Sequence, residues 1–421
     1  MNQERQRIAV IGAGVSGLTA AWLLSEHHDV ELFEAADYAG GHTNTEYVTS
    51  GGKSWPVNTG FIVFNDWTYP NFIKLMDRLG VASEVSSMSF SVDSHATGLQ
   101  YNGTSLNTLF AQRRNLFNFK FLKMVREILR FNKESRADLA DGQIPEGETL
   151  GEYLNRNRYS HYFRKHYIVP MGAAIWSAPE LVLEQFPIRF FLQFFNNHGM
   201  LSVDDRPTWR VISGGSATYV TRMMERIGDK THLNSPVSDI QRDADGVTIV
   251  SNGKSHRFDQ VVLACHSDQA LAMLSNPTDK EQAILGAIGY QKNDVVLHTD
   301  ASVLPSNPLA WAAWNYMVPE HSSQPVSVTY NMNTLQNFDD APETFCVTLN
   351  RSRDIAPDKV IKRFEYDHPV FTMDAVAAQE RYHEIGDHNR THFCGAYWFN
   401  GFHEDGVRSA LRVANAFGLE L

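Results

Sequence analysis

The stretch RIAVIGAGVSGLTAAWLL, Arg7 to Leu24, constrains this chain more than any other. A β-branched run, Ile8 to Ile11, leads into three glycines spaced G-x-G-x-x-G and then an Ala/Leu-rich run. A strand, a glycine turn and a helix in that order open a dinucleotide-binding unit. Gly12 allows the tight turn, Gly14 lets backbone approach a pyrophosphate, and Gly17 lets the helix pack closely on the strand. Ala13, Val15 and Ser16 complete the turn, where the helix N-terminus offers unpaired amides and a positive dipole end. A second apolar run, DVELFE, ends in Glu34, 22 residues past Gly12, where an acid accepts hydrogen bonds from a ribose. A carboxylate there repels a 2′-phosphate, which disfavours NADP. The glycines also interrupt the apolar stretch from Ile8 to Leu24, and no small-residue cleavage site follows, which argues against a secretory signal.

With 421 residues the chain has room for two domains with sizeable cores. Its 43% hydrophobic and 20% charged residues speak against disorder and against an integral membrane protein. A net charge of −11 disfavours nucleic acid as a partner. Cys265, Cys346 and Cys394 are far apart and odd in number, so they define neither a disulfide framework nor a zinc site, and a reducing cytoplasm is the expected location. His383 and His388 are five residues apart and do not share a helical face as a zinc motif requires, and no metal is expected. The GGS at Gly214 to Ser216 lacks the G-x-S-x-G elbow of a serine hydrolase.

An α/β pattern over the first 65 residues gives way to an aromatic-rich, mostly helical region from about Trp67 to Pro207. Short β-rich runs then alternate with the turn signals ADG and SNGK and lead to the run Gln260 to Ala264, a β-meander returning to the first sheet. The chain ends in a strand, a loop and a helix with Val407, Ala410, Leu411 and Ala414 on one face. One domain is therefore expected from residues 1–66, 208–268 and 388–421, and a second from 67–207 and 269–387.

Glu34 is followed by the glycine pair Gly40-Gly41 and then His42. A fingerprint, an acid ending the second strand and then GG with a polar residue together resemble the flavin amine-oxidase superfamily, which includes monoamine oxidases, protoporphyrinogen oxidase and carotenoid desaturases. The family pattern is usually G-G-R; here His42 replaces the arginine. Two further segments carry the resemblance, NTGFIVFN (Asn58 to Asn65) and GFHEDGVRSA. It implies an α/β fold with a Rossmann-type, glutathione-reductase-like FAD-binding domain assembled from separated segments, plus a mixed α+β substrate domain. It also implies FAD contacts at the fingerprint residues, at Glu34, Ala35, Gly40, Gly41, His42 and Thr43, and at Thr59, Gly60 and Phe61, with Gly60 leaving room for the flavin ring. Val237 is implied beside the adenine, and Gly406, Val407 and Ser409 under the flavin. Where relatives carry GE or GD, this chain reads Gly395-Ala396, leaving Glu404 and Asp405 either to bond the ribityl chain or to cap the helix. IVPMGAAIWSAP, RPTWRVISGGSATYV and GAYWFNGFHEDG are similar to a group of NAD/FAD-binding proteins encoded beside cyclopropane-fatty-acid-synthase-like methyltransferases and linked to methylated and furan fatty acids.

Aromatic residues cluster in FPIRFFLQFF (Phe186 to Phe195) and at Trp176, Trp209, Trp311, Trp314, Tyr397 and Trp398. They serve core packing or, as a set, a pocket for a long apolar substrate. From Arg113 to Lys133, seven basic residues and one acidic residue interleave with apolar ones. That segment reads as a solvated helix packed on the body or as an interfacial helix docking on anionic lipid at the inner membrane face. Candidate catalytic residues are Tyr397, Trp398, His403 and Lys292; His403 titrates near neutrality when unperturbed, and Lys292 corresponds broadly to a lysine near the flavin in many amine oxidases. The expected activity is FAD-dependent oxidation of a fatty acyl chain or similar apolar lipid. The alternatives are an amine oxidase and a non-catalytic flavoprotein partner of a lipid methyltransferase.

Overall fold

The computed structural model describes residues 4–319 and 326–421. Residues 1–3 and 320–325, which belong to two of the expected domain segments, lie outside the described residues.

Five parallel strands form the first sheet, in the order Thr231–His232, Asp29–Phe33, Arg7–Ile11, Gln260–Leu263, Thr391–Phe393. Its middle strands are fully buried at Ile8, Ala9, Val10, Val261, Val262 and Leu263, the continuous apolar pattern of a parallel sheet covered on both faces. The helices Val15–Leu24 and His403–Ala416 lie against one another in the core beside it, with Leu18, Val407, Ala410 and Ala414 fully buried. The strands Val237–Asp243, Gly246–Ser251 and Lys254–Phe258 make their own antiparallel sheet. The SNGK signal is a two-residue hairpin: Asn252 and Gly253 both take positive φ, 49° and 72°, the backbone of a type I′ turn.

A second large sheet has seven strands, in the order Val360–Val370, Gly289–His298, Cys346–Leu349, Ser327–Asn331, Trp314–Met317, Phe90–Ser94, Leu99–Asn102. The last two lie inside the region read as mostly helical and extend the sheet through a parallel pairing with Trp314–Met317. Around them pack the helices Phe119–Ala140, Leu150–Arg156, Val169–Trp176 and Ile188–Asn197. Their shared core is aromatic, with Phe121, Phe131, Tyr153, Phe163, Phe191 and Phe195 at 0–1% exposure. The basic segment is not one helix. A 3-10 turn, Arg113–Phe117, precedes the helix Phe119–Ala140, because Asn118 leaves the helical backbone and caps that helix through the amides of Lys120 and Phe121. Phe121, Met124 and Phe131 bury the inner face of that helix against the body. No helix among the described residues is long and apolar enough to cross a membrane.

Candidate cofactor and active site

The first strand, turn and helix build one end of a cavity of about 880 Å3. Gly12 has φ +99° and a Cβ there would lie 2.9 Å from the Ala264 carbonyl oxygen, so glycine is required twice over. Gly14 is the N-cap of the helix Val15–Leu24 and offers no side-chain acceptor, leaving the first-turn amides for a ligand. A Cβ on Gly17 would collide with the Gly12 carbonyl oxygen, so this glycine sets the helix-to-strand distance. Glu34 accepts the amides of Ala13 at 2.7 Å and Ala36 at 2.9 Å, which fixes its carboxylate at the cavity rim. The glycine pair returns the chain to this turn: the Gly40 amide donates to the Ala13 carbonyl at 2.8 Å.

Of the residues expected at the cofactor, Gly12, Gly14, Val15, Ser16, Glu34, Ala35, Gly40, Gly41, His42, Gly60, Phe61, Val237 and Gly395 line the cavity. The others stand behind the wall. Ala13 and Gly17 pack the turn, while Thr43 hydrogen-bonds His403 at 2.8 Å and Thr59 hydrogen-bonds Tyr366 at 2.9 Å. Gly60 lines the cavity, and a Cβ there would also collide with the His42 carbonyl oxygen. Gly406, Val407 and Ser409 are not among the residues that line the cavity; they stand one layer behind it. A Cβ on Gly406 would meet Val15 Cγ1 at 2.5 Å, Val407 is core, and Ser409 accepts the Gly395 amide at 2.8 Å.

Glu404 and Asp405 act as caps. Asp405 accepts the amides of Asn400 at 3.2 Å and Phe402 at 3.0 Å, closing the start of its own helix. Burial pushes its carboxyl up to about 7, with Glu404 adding to the rise against the pull of those amides. Glu404 reaches instead to Asn71 and Phe72 on the helix Pro70–Leu79.

Lys292 is removed from the candidate catalytic set. Its side chain is 70% exposed, pairs with Glu365, and is not among the residues that line the cavity, although Glu365 is. Strand parity is the reason: Asn293, one residue on, is fully buried and donates toward His368 Nδ1 at 3.3 Å. Trp398 is buried against Tyr382 in the core, and its neighbour Tyr397 lines the cavity with a hydroxyl that has no protein partner. Cys394 is buried in the core, whereas Cys265 lines the cavity, where burial pushes its thiol up to about 12.

The site gathers His42, His266, His368 and His403 from four separate segments into one cavity. His42 lies with its ring centre 4.9 Å from Tyr366 and 5.5 Å from His368, and its Nε2 has no protein partner. His368 Nδ1 is 3.0 Å from the hydroxyl of Ser177, a residue held at φ 55° at the end of the helix Val169–Trp176. His266 stacks on Tyr290 at 4.3 Å. His403 stacks on Phe61 at 3.5 Å, with Nε2 toward Thr43. Burial pulls His42 down to about 3, helped by His368 and His266, and pulls His368 down to about 4. Burial, then His42, holds His403 well below its ordinary range, so it does not titrate near neutrality. These are neutral imidazoles that offer one donor and one acceptor each. Tyr366 and His368 stand on the strand Val360–Val370, where the consecutive residues Glu365 to Pro369 all line the cavity, so alternation alone does not single them out.

The remaining cavity wall is aromatic. Trp176, Phe194, Trp209 and Trp314 line it together with Phe371 and Phe402, while Trp311, Phe186, Phe191 and Phe195 do not. The expected aromatic set therefore divides between pocket and core.

A family model described as flavin containing amine oxidoreductase matches residues 15–417. The chain belongs to that family. Its cofactor is FAD. The chain is 26% identical over 255 residues to flavin-containing amine oxidase A of Canis lupus familiaris, across 58% of this chain and 46% of that protein. It is 25% identical over 296 residues to the L-amino-acid oxidase of Demansia vestigiata, across 63% of this chain and 51% of that one. The chain thus spans about half the length of the curated relatives it matches. In fold it is similar to cyclohexylamine oxidase from Brevibacterium oxydans IH-35A, with a TM-score of 0.70, 18% identity and 98% of both chains covered. A CLA-producing fatty acid isomerase from P. acnes superposes with a TM-score of 0.68 at 15% identity, again over 98% of both chains.

The site fits FAD. An uncapped helix N-terminus faces the cavity, Glu34 is fixed at its rim, and the volume lies at the upper end for small-molecule sites. The orphaned Nε2 of His42 and hydroxyl of Tyr397 are buried polar atoms that a ligand would satisfy.

Proposed function

We propose that this protein is an FAD-dependent oxidoreductase that dehydrogenates a carbon of an apolar, acyl-chain-type substrate. When bound, FAD supplies the two-electron acceptor for a hydride, and electrons leave afterwards to oxygen, a quinone or another carrier. The observation that carries the reading is the apolar stretch of cavity wall formed by Trp176, Phe194, Met200, Trp209, Phe371 and Phe402, which excludes water from an apolar chain, the cavity's carboxylates being on other segments, at Glu34, Glu365 and Asp367. The neutral imidazoles of His42 and His368 orient a substrate by hydrogen bonds without fixing a charge against it. A fatty acid isomerase shares this architecture, which supports an acyl chain as a substrate of the scaffold.

An amine substrate is the second reading. Asp367 lines the cavity with a buried carboxylate oxygen that has no protein partner, which suits an ammonium group, and curated relatives include amine and amino-acid oxidases. Anaerobic mixing of the FAD-loaded protein with fatty acyl lipids and with amines separates the two. Bleaching of the flavin absorbance by acyl lipids is the expected result, and bleaching by amines alone overturns it. No bleaching by either class favours a non-catalytic partner of a lipid methyltransferase.

A further inference from the structure

Between Ser94 and Arg126 the chain carries Arg113, Arg114, Lys120, Lys123 and Arg126 but no Asp or Glu, in a protein of net charge −11. The fold concentrates this composition at one corner. Asn118 ends the 3-10 turn Arg113–Phe117 and caps the helix Phe119–Ala140, which sends Phe121 and Met124 into the core at 0% exposure. The same corner turns Phe117 and Phe119 outward, at 85% and 88% exposure. Leu106 and Leu116 are exposed as well, and Arg113 ties the short helix Leu106–Leu109 to the corner through the carbonyls of Asn107 at 3.0 Å and Phe110 at 2.7 Å. Arg114 likewise donates to a carbonyl, that of Gly98, at 2.7 Å. Among the described residues, neither guanidinium is paired with a carboxylate.

A soluble surface gains nothing from two phenylalanines held in water, and a purely solvated basic helix has no need of them. Apolar rings beside these cations match the two layers of a bilayer surface, acyl boundary and anionic headgroup. The chain as a whole, at net charge −11, is repelled by such a surface, so attraction must come from a local basic segment such as this corner. We propose that this corner docks the protein on an anionic lipid bilayer, with Phe117 and Phe119 entering the interface and Arg113, Arg114, Lys120 and Lys123 meeting the headgroups. The inference goes beyond the substrate reading and does not depend on it, because it concerns the outer surface and not the cavity.

The test is flotation of the FAD-loaded protein with phosphatidylcholine vesicles and with vesicles that also contain phosphatidylglycerol. Recovery with the anionic vesicles alone, falling as salt rises, is the expected result. Each basic residue near the surface is worth about fivefold in partitioning. The Arg113→Gln/Arg114→Gln/Lys120→Gln/Lys123→Gln protein should therefore lose about 100-fold or more. Phe117→Ser/Phe119→Ser should lose at least about tenfold while keeping its melting temperature and FAD spectrum, since neither ring contributes to the core. Phe117→Trp reads insertion directly as a blue-shifted emission, relative to the parent protein, on anionic vesicles. Equal recovery with both vesicle types, recovery with neither, or binding that survives loss of both rings overturns the proposal. The last outcome would point to a polyanion such as nucleic acid, and the second to a protein partner.

Discussion

The carboxylate of Glu404 accepts the backbone amide of Phe72 at 2.8 Å, across 332 residues of chain. It also accepts the amide of Asn71 at 3.2 Å, so a residue of the last helix caps the helix Pro70–Leu79, whose own N-cap, Tyr69, supplies no side-chain acceptor. Glu404→Ala leaves those amides buried without a partner and should cost about 1–2 kcal/mol, read as a lower melting temperature. Glu404→Gln keeps an acceptor and should recover most of the loss. Equal melting of all three proteins would refute the cap.

His298 gives a pH dependence that lies outside the cavity. Its Nδ1 accepts the Asp300 amide at 3.1 Å and its Nε2 meets the Thr348 hydroxyl at 2.7 Å, so a second ring proton would face an N–H donor. Burial pulls its pKa down to about 4. Above about pH 6.5 folded and unfolded states are both neutral; below it the unfolded state takes up a proton that the folded state refuses. Stability is therefore full above 6.5 and falls as pH drops toward 4, by at most about 3 kcal/mol from this residue. His298→Gln should lower stability at pH 7 and flatten that slope in unfolding curves measured across the window.

Glu34→Ala removes the acceptor of the Ala13 and Ala36 amides and loosens the turn that faces the ligand. FAD affinity should fall by about 10- to 100-fold, the loss of one or two hydrogen bonds to a charged group. Fluorescence titration of apoprotein with FAD measures it, and unchanged affinity would detach Glu34 from the site.

Lys292→Met should leave the anaerobic flavin-reduction rate within about twofold, because the side chain lies in solvent against Glu365. Asn293→Ala, one position along, frees His368 and should slow reduction by at least about tenfold. The opposite pattern would mean that the strand is read with the wrong face inward.

The nucleotide end of the site was legible in the residues alone. Gly12, Gly14, Gly17 and Glu34 act through backbone conformation and close approach within one strand-turn-helix unit, and both effects are written in local spacing. Hairpin chemistry at Asn252-Gly253 and the apolar face of the last helix were legible for the same reason. What local pattern left open is which side chains meet over long separations. Whether Lys292 or Asn293 points inward depends on the pairing of Gly289–His298 with Val360–Val370. That Gly406 must clear Val15, Gly60 must clear His42, and Glu404 must cap a distant helix follows from how separate segments pack. The cluster of His42, His266, His368 and His403 draws on four such segments. Sequence by itself determined the short-range backbone that cradles a dinucleotide; only tertiary structure decided the opposite wall, because a side chain's neighbours there are set by the burial of the whole chain and not by its spacing.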